Sequence, residues 1–417
     1  MKRHTMHCNE DQCRAIERAL CARDYALILG MPGTGKSSTI AMLVRILVEL
    51  GQRVLLCSHT HSAVDTIVSK LLDAPVLRLG PLSRVHPRVH ACTLTARLGT
   101  CATSEEVVQV VAEAQVVAAT CLGTSDAVLA RRAFDVCIID EASQITVPTC
   151  LGPLRLADRF VMIGDHHQLT PLVRDTDAAQ HGMSVSLFQR LCKAHPSSVA
   201  MLCTQYRMNA DIMALSNALV YDGRLVCGNE SVACAKFTMK RDACPSWLWD
   251  VLDPARPAVF VDTDAVKAVE SRADTLVENR VEAEWIVRMS DVLIQANVAA
   301  ADIGILTPYR QQAKLLRDRC ACEVLTVDQA QGRDWPVVLV SLVRSNKTHT
   351  VGELLRDQRR VNVMITRAKT KLVLVGSYST MIHGPCTEPM PALLPLLRMI
   401  QPKEPADIPV HVSPGRQ

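Results

Sequence analysis

The feature that most constrains this chain is a glycine-rich stretch between an apolar segment and an amphipathic one. Residues 30–37 read Gly-Met-Pro-Gly-Thr-Gly-Lys-Ser, which matches the pattern G-x-x-x-x-G-K-[ST] at every fixed position. Glycines let the backbone wrap around a phosphate chain with its N–H groups pointing inward, and the N-terminus of the following helix adds partial positive charge. The stretch therefore predicts a phosphate-binding loop at the end of a strand, within an α/β fold.

The loop predicts a role for each of its residues. The amine of Lys36 is expected to reach the β- and γ-phosphates of a nucleoside triphosphate, and the hydroxyl of Ser37 to coordinate Mg²⁺. The backbone cradle is expected to come from Gly30, Met31, Pro32, Gly33, Thr34 and Gly35. The resulting prediction is a nucleotide site with a magnesium ion.

Two adjacent carboxylates, Asp140 and Glu141, stand at the end of another strand-like run. In a nucleotide hydrolase one carboxylate holds Mg²⁺, and another orients and deprotonates the attacking water. We therefore predict the first role for Asp140 and the second for Glu141. Acidic pairs at the end of a strand also commonly cap a helix, so the catalytic interpretation depends on the phosphate-binding loop.

Short apolar runs alternate with amphipathic stretches along the 417 residues, which is typical of strand–helix units around parallel sheets. The pattern begins again near residue 199, so we predict two domains, 1–197 and 198–382. The first carries a short insertion at about 73–115, and a proline-rich tail follows at 383–417. The predicted strands are 25–30, 54–58, 134–140, 160–165, 199–204, 259–262, 303–307, 324–328, 337–342 and 372–376. The predicted helices are 11–22, 36–50, 62–72, 185–193, 211–220 and 278–295.

Composition excludes several other classes of protein. The longest nearly apolar run, 337–343, contains Ser341 and is far shorter than the ~20 residues that a transmembrane helix needs, so we expect no membrane association. The 17 cysteines are scattered and include no C-x-x-C pair, which favours reduced cysteines inside the fold over disulfides or a metal cluster. The net charge of +4 is compatible with a polyanionic partner.

Further motifs carry a resemblance to a known family. They read Thr-His-Ser-Ala-Val-Asp at 60–65, Asp-Glu-Ala-Ser at 140–143, Gly-Asp-His-His-Gln-Leu at 164–169, Gln-Tyr-Arg-Met at 205–208 and Val-Asn-Val-Met-Ile-Thr-Arg-Ala at 361–368. In this order they resemble superfamily 1 helicases, in the branch that contains the nonsense-mediated-decay RNA helicase. The loop residues Gly-Met-Pro-Gly and the segments 345–347 and 351–355 resemble the replication helicase/nuclease family of that branch. The resemblance covers nearly all of residues 9–380.

The resemblance implies two RecA-like domains with parallel sheets flanked by helices, and ATP bound in the cleft between them. It implies that Gln12 reads the adenine, Gln168 couples the γ-phosphate to strand movement, and Gly332 senses the nucleotide. Arg207 and Arg367 resemble arginine fingers, which neutralise charge on the transferring phosphoryl group. Taken alone, these residue types also allow a surface glutamine, a polar loop residue and surface salt bridges.

Contacts with a nucleic-acid strand are also predicted. The segment 58–65 follows a strand and opens a helix, so its hydroxyl and N–H groups can hold phosphates. Its predicted contacts are Ser58, Thr60, His61 and Ser62. Matches to strand-contacting positions of the family's second domain are Pro308, Tyr309, Arg310 and Thr326. Because aromatic residues are only 3% of the chain, we expect salt-sensitive binding of the backbone rather than base stacking.

The function that the resemblance implies is an ATP-dependent DNA helicase motor, which hydrolyses ATP with Mg²⁺ and moves 5′ to 3′ on single-stranded DNA. An RNA helicase of the nonsense-mediated-decay type and a non-unwinding clamp switched by ATP are alternative hypotheses, so RNA is the alternative partner. Replication or repair in the nucleus is implied, with the mitochondrion and the cytoplasm as alternatives.

The sequence departs from the family's pattern at several positions. His59 stands where close relatives have tyrosine, Thr66 where they have asparagine, and Ala330 where an aromatic residue is common. None of these removes a catalytic group, so we expect ATP hydrolysis to be retained more fully than unwinding. The family also carries a nuclease domain with a four-cysteine iron–sulfur cluster, for which we find no cysteine quartet. We therefore expect that the chain does not cut DNA by itself, and that its partners are an upstream nuclease domain or replication and repair proteins.

Overall fold

The computed structural model describes residues 8–99, 103–130, 132–266, 268–273, 276–382 and 394–400. The chain divides into two compact units, Met1–Gln205 (unit 1) and Tyr206–Gln417 (unit 2). The predicted tail at 383–417 lies outside the described residues except for 394–400. Within the described ranges, no helix is both long enough and apolar enough to cross a membrane.

Unit 1 is built on a parallel sheet. Its strands are β1 (Tyr25–Gly30), β2 (Val54–Ser58), β3 (Val76–Arg78), β4 (Val116–Thr120), β5 (Phe134–Asp140), β6 (Ala157–Gly164) and β7 (Val199–Leu202), and β8 (Thr204–Gln205) follows them. The sheet has the order β3-β4-β2-β5-β6-β1-β7, and every neighbouring pair is parallel. The carboxyl ends of β1, β2 and β5 therefore meet at one edge, which is where the phosphate-binding loop and the carboxylates are attached.

Helices and core residues cover both faces of this sheet. Leu55 and Cys57 belong to one apolar cluster, whereas the alternating Val54 and Leu56 belong to another. Burial on both faces explains why the strands read as continuous apolar runs. The α-helices are α1 (Glu10–Cys21), α2 (Lys36–Glu49), α3 (His61–Val68), α4 (Leu94–Leu98), α5 (Ser104–Glu113), α6 (Val147–Leu154), α7 (Thr176–Ala178) and α8 (Leu187–Ala194). Short 3₁₀ turns are Leu82–Arg84, Pro87–Cys92, Leu122–Ser125, Ala127–Leu129, Ala142–Gln144 and Pro196–Ser198, with a π-turn at Ala179–Met183.

Unit 2 repeats the parallel design. Its strands are β9 (Val226–Cys227), β10 (Ala258–Asp262), β11 (Ser271–Ala273), β12 (Leu276–Glu278), β13 (Ile303–Thr307), β14 (Glu323–Thr326), β15 (Trp335–Ser341) and β16 (Ala368–Gly376). The main sheet has the order β10-β16-β15-β13-β14 with parallel pairs, and β11 and β12 form an antiparallel pair. The predicted class, α/β with parallel sheets flanked by helices, is confirmed.

The helices of unit 2 follow the same alternation. They are α9 (Ala210–Ser216), α10 (Glu230–Ala233), α11 (Ser246–Leu252), α12 (Arg280–Gln295), α13 (Arg310–Arg317), α14 (Glu353–Arg356), α15 (Gln358–Ile365), α16 (Tyr378–Ile382) and α17 (Leu394–Met399). Short turns are Asn217–Tyr221, Arg241–Ala243, Asp264–Val266 and Ala300–Asp302. The longest, α12, packs Ile286, Met289 and Leu293 into the core of the unit.

The predicted boundary after residue 197 falls too early. β7 pairs with β1, with Ala200 opposite Ile28, and so it fills the edge of the first sheet. The carboxylate of Asp11 then accepts hydrogen bonds from the backbone N–H groups of Cys203 and Thr204, each at 3.1 Å. Residues 198–205 therefore belong to unit 1.

The stretch predicted as an insertion, 73–115, also contributes to the sheet. It contains β3, which pairs with β4 with Leu77 opposite Val117. Neither strand was among the predicted ones. β3 has only three residues, and β4 reads Val-Val-Ala-Ala-Thr, whose alanines weaken a strand pattern.

Candidate functional site

The phosphate-binding loop joins β1 to α2, as its sequence predicts. Gly33 and Gly35 have φ values of 74° and 80°, a left-handed conformation that side chains with a Cβ rarely adopt. The hydroxyl of Thr34 donates to the carbonyl oxygen of Met31 at 2.8 Å, which braces the turn. The N-cap residue of α2 is Gly35, and no side chain of the described residues caps the helix there, so its first backbone N–H groups are available for an anion.

Lys36 lies folded along the loop. Its Nζ donates to the carbonyl oxygen of Gly30 at 2.7 Å. A Cβ on Gly30 would stand 2.3 Å from Cγ of Lys36, so glycine at this position makes room for the lysine stem. The ammonium group is therefore held at the mouth of the loop by a weak neutral acceptor, which a phosphate oxygen can replace.

Asp140 ends β5 with only 4% of its surface exposed. Its Oδ1 is buried and has no hydrogen-bond partner among the described residues. Burial, and then the charge of Glu141, raise the pKa of Asp140 to about 7, whereas nearby Lys36 acts to lower it. A buried carboxylate oxygen with no protein partner, close to a phosphate-binding loop, is what a Mg²⁺ ligand or its bound water requires, so these residues fit the ion.

Glu141 is held in an uncommon conformation directly after Asp140. Its backbone lies in the left-handed region, with φ 51° and ψ 35°. Its Oε2 accepts a hydrogen bond from Nε2 of Gln144 at 3.0 Å. Backbone strain of this kind persists where the fold holds a side chain in a required direction.

Gln168 is tied to Asp165, a residue to which the sequence assigned no role. The amide Nε2 of Gln168 donates to Oδ2 of Asp165 at 2.6 Å, and both residues are buried. The backbone N–H of His167 donates to the other carboxylate oxygen at 3.0 Å. A Cβ on Gly164 would lie 2.9 Å from the backbone nitrogen of Ser143, so the two loops after β5 and β6 pack closely.

Gln12 lies against the phosphate-binding loop and is 8% exposed, which excludes the alternative of a surface glutamine. Its Nε2 donates to the carbonyl oxygen of Thr34 at 3.1 Å. Its Oε1 accepts the N–H of Asn9 at 3.2 Å, and Asn9 caps α1 in return. A role in reading adenine stays a prediction, but the side chain does link α1 to the loop.

The predicted nucleic-acid contacts of unit 1 separate into exposed and buried groups. Ser58 is fully buried, and its hydroxyl donates to the carbonyl oxygen of Asp140 at 3.2 Å, so it does not face a strand. Its position was misassigned because it is the last residue of β2 and its side chain points inward. Thr60 and Ser62 are exposed, and Thr60 caps α3 by accepting the N–H of Ala63 at 3.2 Å.

A buried ion pair that the sequence did not predict lies under this segment. Arg78 is 0% exposed and Asp65 is 4% exposed, and Nε of the arginine lies 2.7 Å from Oδ1 of the aspartate. The sequence feature that could have indicated this pair is Arg78, a charged residue inside the otherwise apolar run 76–79. A buried arginine requires a charged partner, and the aspartate in the motif at 60–65 supplies it.

In unit 2, Arg207 is held by an acidic residue. Its Nη2 lies 2.8 Å from Oδ2 of Asp334, and its Nη1 donates to the carbonyl oxygen of Thr366 at 3.2 Å. Lys369 contacts the other oxygen of Asp334 at 2.6 Å. Burial alone would raise the pKa of Asp334, but Arg207 and Lys369 outweigh it and the pKa is lowered.

Arg367 is 2% exposed, so it is not a surface salt bridge. Its Nε donates to the carbonyl oxygen of Val363 at 2.9 Å, Nη1 to that of Arg333 at 3.1 Å and Nη2 to the hydroxyl of Thr366 at 2.9 Å. Gly332, the predicted nucleotide-sensing residue, adopts φ 82° in the turn just before Arg333. The guanidinium thus braces this turn.

The other predicted contacts follow the carboxyl ends of β13 and β14, which are adjacent and parallel. Pro308 and Thr326 are buried, and Arg310 is exposed at the start of α13. The hydroxyl of Tyr309 is buried. Burial raises the pKa of Tyr309, while the neighbouring guanidinium of Arg344 acts to lower it.

Arg344 is a second buried arginine that the sequence did not single out. Its Nε lies 2.8 Å from Oε2 of Glu270, and both side chains are less than a tenth exposed. A Cβ on Gly352 would lie 2.3 Å from Nη1 of Arg344, and Gly352 itself has φ 83°. The segments 345–347 and 351–355, which carry part of the family resemblance, therefore surround this pair.

A parallel sheet with a phosphate-binding loop after β1 and carboxylates after β5 defines a nucleotide-binding unit of the phosphate-loop class. Two family models, both described as AAA domain, match this chain, one at 7–106 and 97–175 and the other at 183–379. Human DNA replication ATP-dependent helicase/nuclease DNA2 is 45% identical over 411 residues, which cover 93% of this chain and 38% of that protein.

Other relatives are similar to this chain to the same degree. Arabidopsis thaliana JHS1, also a DNA replication ATP-dependent helicase/nuclease, is 45% identical over 90% of this chain and 29% of its own length. Saccharomyces cerevisiae DNA2 is 42% identical over 89% of this chain and 26% of its own length. The chain belongs to the superfamily 1 helicases, in the branch that includes the DNA replication ATP-dependent helicase/nucleases. It spans 26% to 38% of the length of these relatives.

Proposed function

We propose that this chain is an ATP-dependent DNA helicase motor, in which unit 1 hydrolyses ATP and single-stranded DNA stimulates the reaction. The observation that carries the proposal is the juxtaposition of Lys36 with the buried Oδ1 of Asp140, which accepts no hydrogen bond from any described residue. A cation and a buried carboxylate beside a loop of open backbone donors form a site for a triphosphate and its metal ion.

Binding would begin with exchange of hydrogen bonds. The ammonium of Lys36 leaves the carbonyl oxygen of Gly30 for β- and γ-phosphate oxygens, which are stronger acceptors because they are charged. The backbone of residues 30–35 and the N-terminus of α2 donate to the remaining phosphate oxygens. Gln12, which already holds Thr34, would contact the adenine.

Hydrolysis needs a base and a metal site. Ser37 and Asp140 would hold Mg²⁺, which neutralises charge on the phosphates when it is bound. Glu141 would orient a water molecule and accept its proton, with its carboxylate fixed by Gln144. Gln168, which is hydrogen-bonded to Asp165, would couple the presence of the γ-phosphate to movement of the strand.

Arg207 and Arg367 are proposed as the groups of unit 2 that neutralise charge on the transferring phosphoryl group, and Gly332 as the nucleotide-sensing turn. The identity to relatives over nearly the whole chain supports these roles. For the strand, the proposed contacts are Thr60, His61 and Ser62 of unit 1 and Arg310 of unit 2. Pro308, Tyr309 and Thr326 would shape the loops of unit 2 around Arg310. Movement 5′ to 3′, action in nuclear replication or repair, and replication or repair proteins as partners are further parts of the proposal.

The decisive variant is Lys36→Ala, with Lys193→Ala as the control because Lys193 is an exposed lysine of the same unit. ATPase activity should rise several-fold with single-stranded DNA in the wild type and the control, and should be abolished in Lys36→Ala. Undiminished activity in Lys36→Ala would contradict the proposed site.

Two further measurements separate the alternatives. Equal lengths of single-stranded DNA and RNA are compared as activators, and preference for RNA would favour an RNA helicase. Unwinding is assayed on duplexes with a 5′ or a 3′ overhang. Unwinding of the duplex with the 5′ overhang, but not of the duplex with the 3′ overhang, supports the proposed polarity. ATPase activity without unwinding of either duplex supports a clamp.

A further inference from the structure

The buried arginine of unit 1 touches a residue of the proposed strand-binding segment. Nη2 of Arg78 lies 3.0 Å from Nδ1 of His61. The same guanidinium binds Oδ1 of Asp65 through Nε at 2.7 Å and donates through Nη1 to the carbonyl oxygen of Leu79. All three nitrogens of the guanidinium therefore make contacts within the protein.

This contact determines where the proton of His61 resides. A guanidinium has donors only, so Nδ1 of His61 must accept the hydrogen bond and carries no proton. The neutral ring therefore has its proton on Nε2. Nε2 of His61 makes no hydrogen bond to a described residue, which leaves this N–H to water or to a ligand.

The surroundings fix the ring as well as its proton. Oδ2 of Asp65 accepts the backbone N–H of His86 at 2.8 Å, so both carboxylate oxygens are used. Gly80, at φ 142°, packs beside the pair, and a Cβ there would lie 3.1 Å from Cε1 of His61 and 3.2 Å from Nη1 of Arg78. The ring thus lies in a slot that a larger residue at position 80 would close.

The charges that face His61 keep the ring neutral. Burial lowers the pKa of His61 first, Arg78 and Arg84 lower it further, and Asp65 acts in the opposite direction. These charged groups belong to β3, to the turn Leu82–Arg84 and to α3 itself. The net effect lowers the pKa of His61 from its ordinary value of 6.5, so the imidazole is neutral at pH 7 and above.

We propose that Arg78 and Asp65 are positioning residues, which hold His61 as a neutral Nε2–H donor for a backbone phosphate oxygen of the nucleic-acid strand. This inference rests on the proposed function, because it names a contact of the same strand-binding segment. Thr60 and Ser62, exposed on either side of His61, would bind the same backbone. A neutral donor fixes the position of the strand without adding a counterion-dependent charge.

The first test uses the full chain and separates strand affinity from catalysis. The concentration of single-stranded DNA that gives half-maximal ATPase stimulation is measured for His61→Leu and His61→Gln. The leucine variant should raise this concentration about tenfold with kcat unchanged, because a hydrogen bond to a charged group is lost. Glutamine places an amide N–H close to the position of Nε2, so its value should stay within about threefold of the wild type. His181→Leu, at an exposed histidine of the same unit, is the control.

The second test reads the tautomer directly and does not depend on activity. Long-range ¹H–¹⁵N correlation spectra of histidine-labelled protein, with His61 assigned by its loss in His61→Gln, should show the Nε2–H form from pH 6.5 to 8. In Arg78→Gln the pKa of His61 should rise, since a cation is removed and Asp65 remains. DNA affinity of that variant should then increase as the pH falls from 8 to 6, whereas that of the wild type should change little.

The outcomes distinguish this inference from the function on which it rests. An Nδ1–H tautomer, a protonated ring at pH 7, or equal DNA affinity of wild type and His61→Leu would each overturn the positioning role. Failure of DNA to stimulate the wild-type ATPase would overturn the proposed function together with the ligand named here.

Discussion

The charged groups of unit 1 and those of unit 2 differ in how their bonding capacity is used. In unit 1, Oδ1 of Asp140 is buried with no partner in the part of the chain that the structure describes, and Nζ of Lys36 donates to a neutral carbonyl oxygen. In unit 2, Arg207 binds Asp334, and Arg367 donates to the carbonyl oxygens of Val363 and Arg333. To bind a charged ligand, Lys36 gives up one bond to a neutral carbonyl oxygen. Arg207 must instead leave a carboxylate, and Arg367 must leave several acceptors.

This difference predicts a division of labour. Groups with spare bonding capacity bind a ligand at little cost, because at most one hydrogen bond to a neutral acceptor is lost in the exchange. Donors that already have acceptors bind the ligand only where it offers a stronger acceptor. The charged oxygens of a transferring phosphoryl group are such acceptors. Nucleotide binding should therefore depend on unit 1, and the rate of hydrolysis on both units.

The largest effect is expected for Glu141→Gln, which keeps the shape of the side chain and removes the base. DNA-stimulated ATP hydrolysis should fall by about 10³-fold or more, with nucleotide affinity retained. Glu113→Gln, at an exposed glutamate of unit 1, is the matched control. A decrease of less than tenfold would show that Glu141 is not the base.

Arg207→Ala should come next. If this guanidinium neutralises the transferring phosphoryl group, kcat should fall by about 10³-fold, the lower end of the effect of arginine fingers. Arg207 is partly exposed, so the melting temperature should change little. Arg224→Ala, which removes an exposed ion pair with Asp222, serves as the control, and an equal loss of kcat there would contradict the assignment.

Arg367→Ala should differ from Arg207→Ala in stability. Truncation leaves the acceptors on Val363, Arg333 and Thr366 without the donors of this buried guanidinium, so the free energy of unfolding should fall by about 2–4 kcal/mol. Urea denaturation of the two variants makes the comparison. Equal midpoints for both variants would remove the distinction between a braced and a partly exposed arginine.

Features that depend on residues close together in the sequence could be predicted. The phosphate-binding loop and the roles of Asp140 and Glu141 are predicted from contiguous residues, because such chemistry depends on strand ends and backbone direction within a few positions. The structure places Gly30 and Asp140 at the ends of strands, as expected, and the roles stay predictions. β1, β2, β5 and β13 were predicted with the bounds that the structure has, since strands buried on both faces carry a continuous apolar signal.

Other features depend on pairs that are distant in sequence. Arg78 and Asp65 each read as an isolated charge until the fold places them 2.7 Å apart. The boundary moved to Gln205 because β7 found its partner in β1, far earlier in the chain. Ser58 was misassigned because its place at the end of β2 does not reveal that its hydroxyl binds the carbonyl of Asp140.

The most direct measurement of the central comparison is calorimetric titration of a non-hydrolysable ATP analogue with Mg²⁺ into wild type, Lys36→Ala and Arg207→Ala. Lys36→Ala should bind the analogue at least tenfold more weakly than the wild type, because the cation that meets the β- and γ-phosphates is lost. Arg207→Ala should bind within about twofold of the wild type, because its bond to Asp334 is retained until hydrolysis. An equal loss of affinity in both variants would contradict the division of labour between the two units.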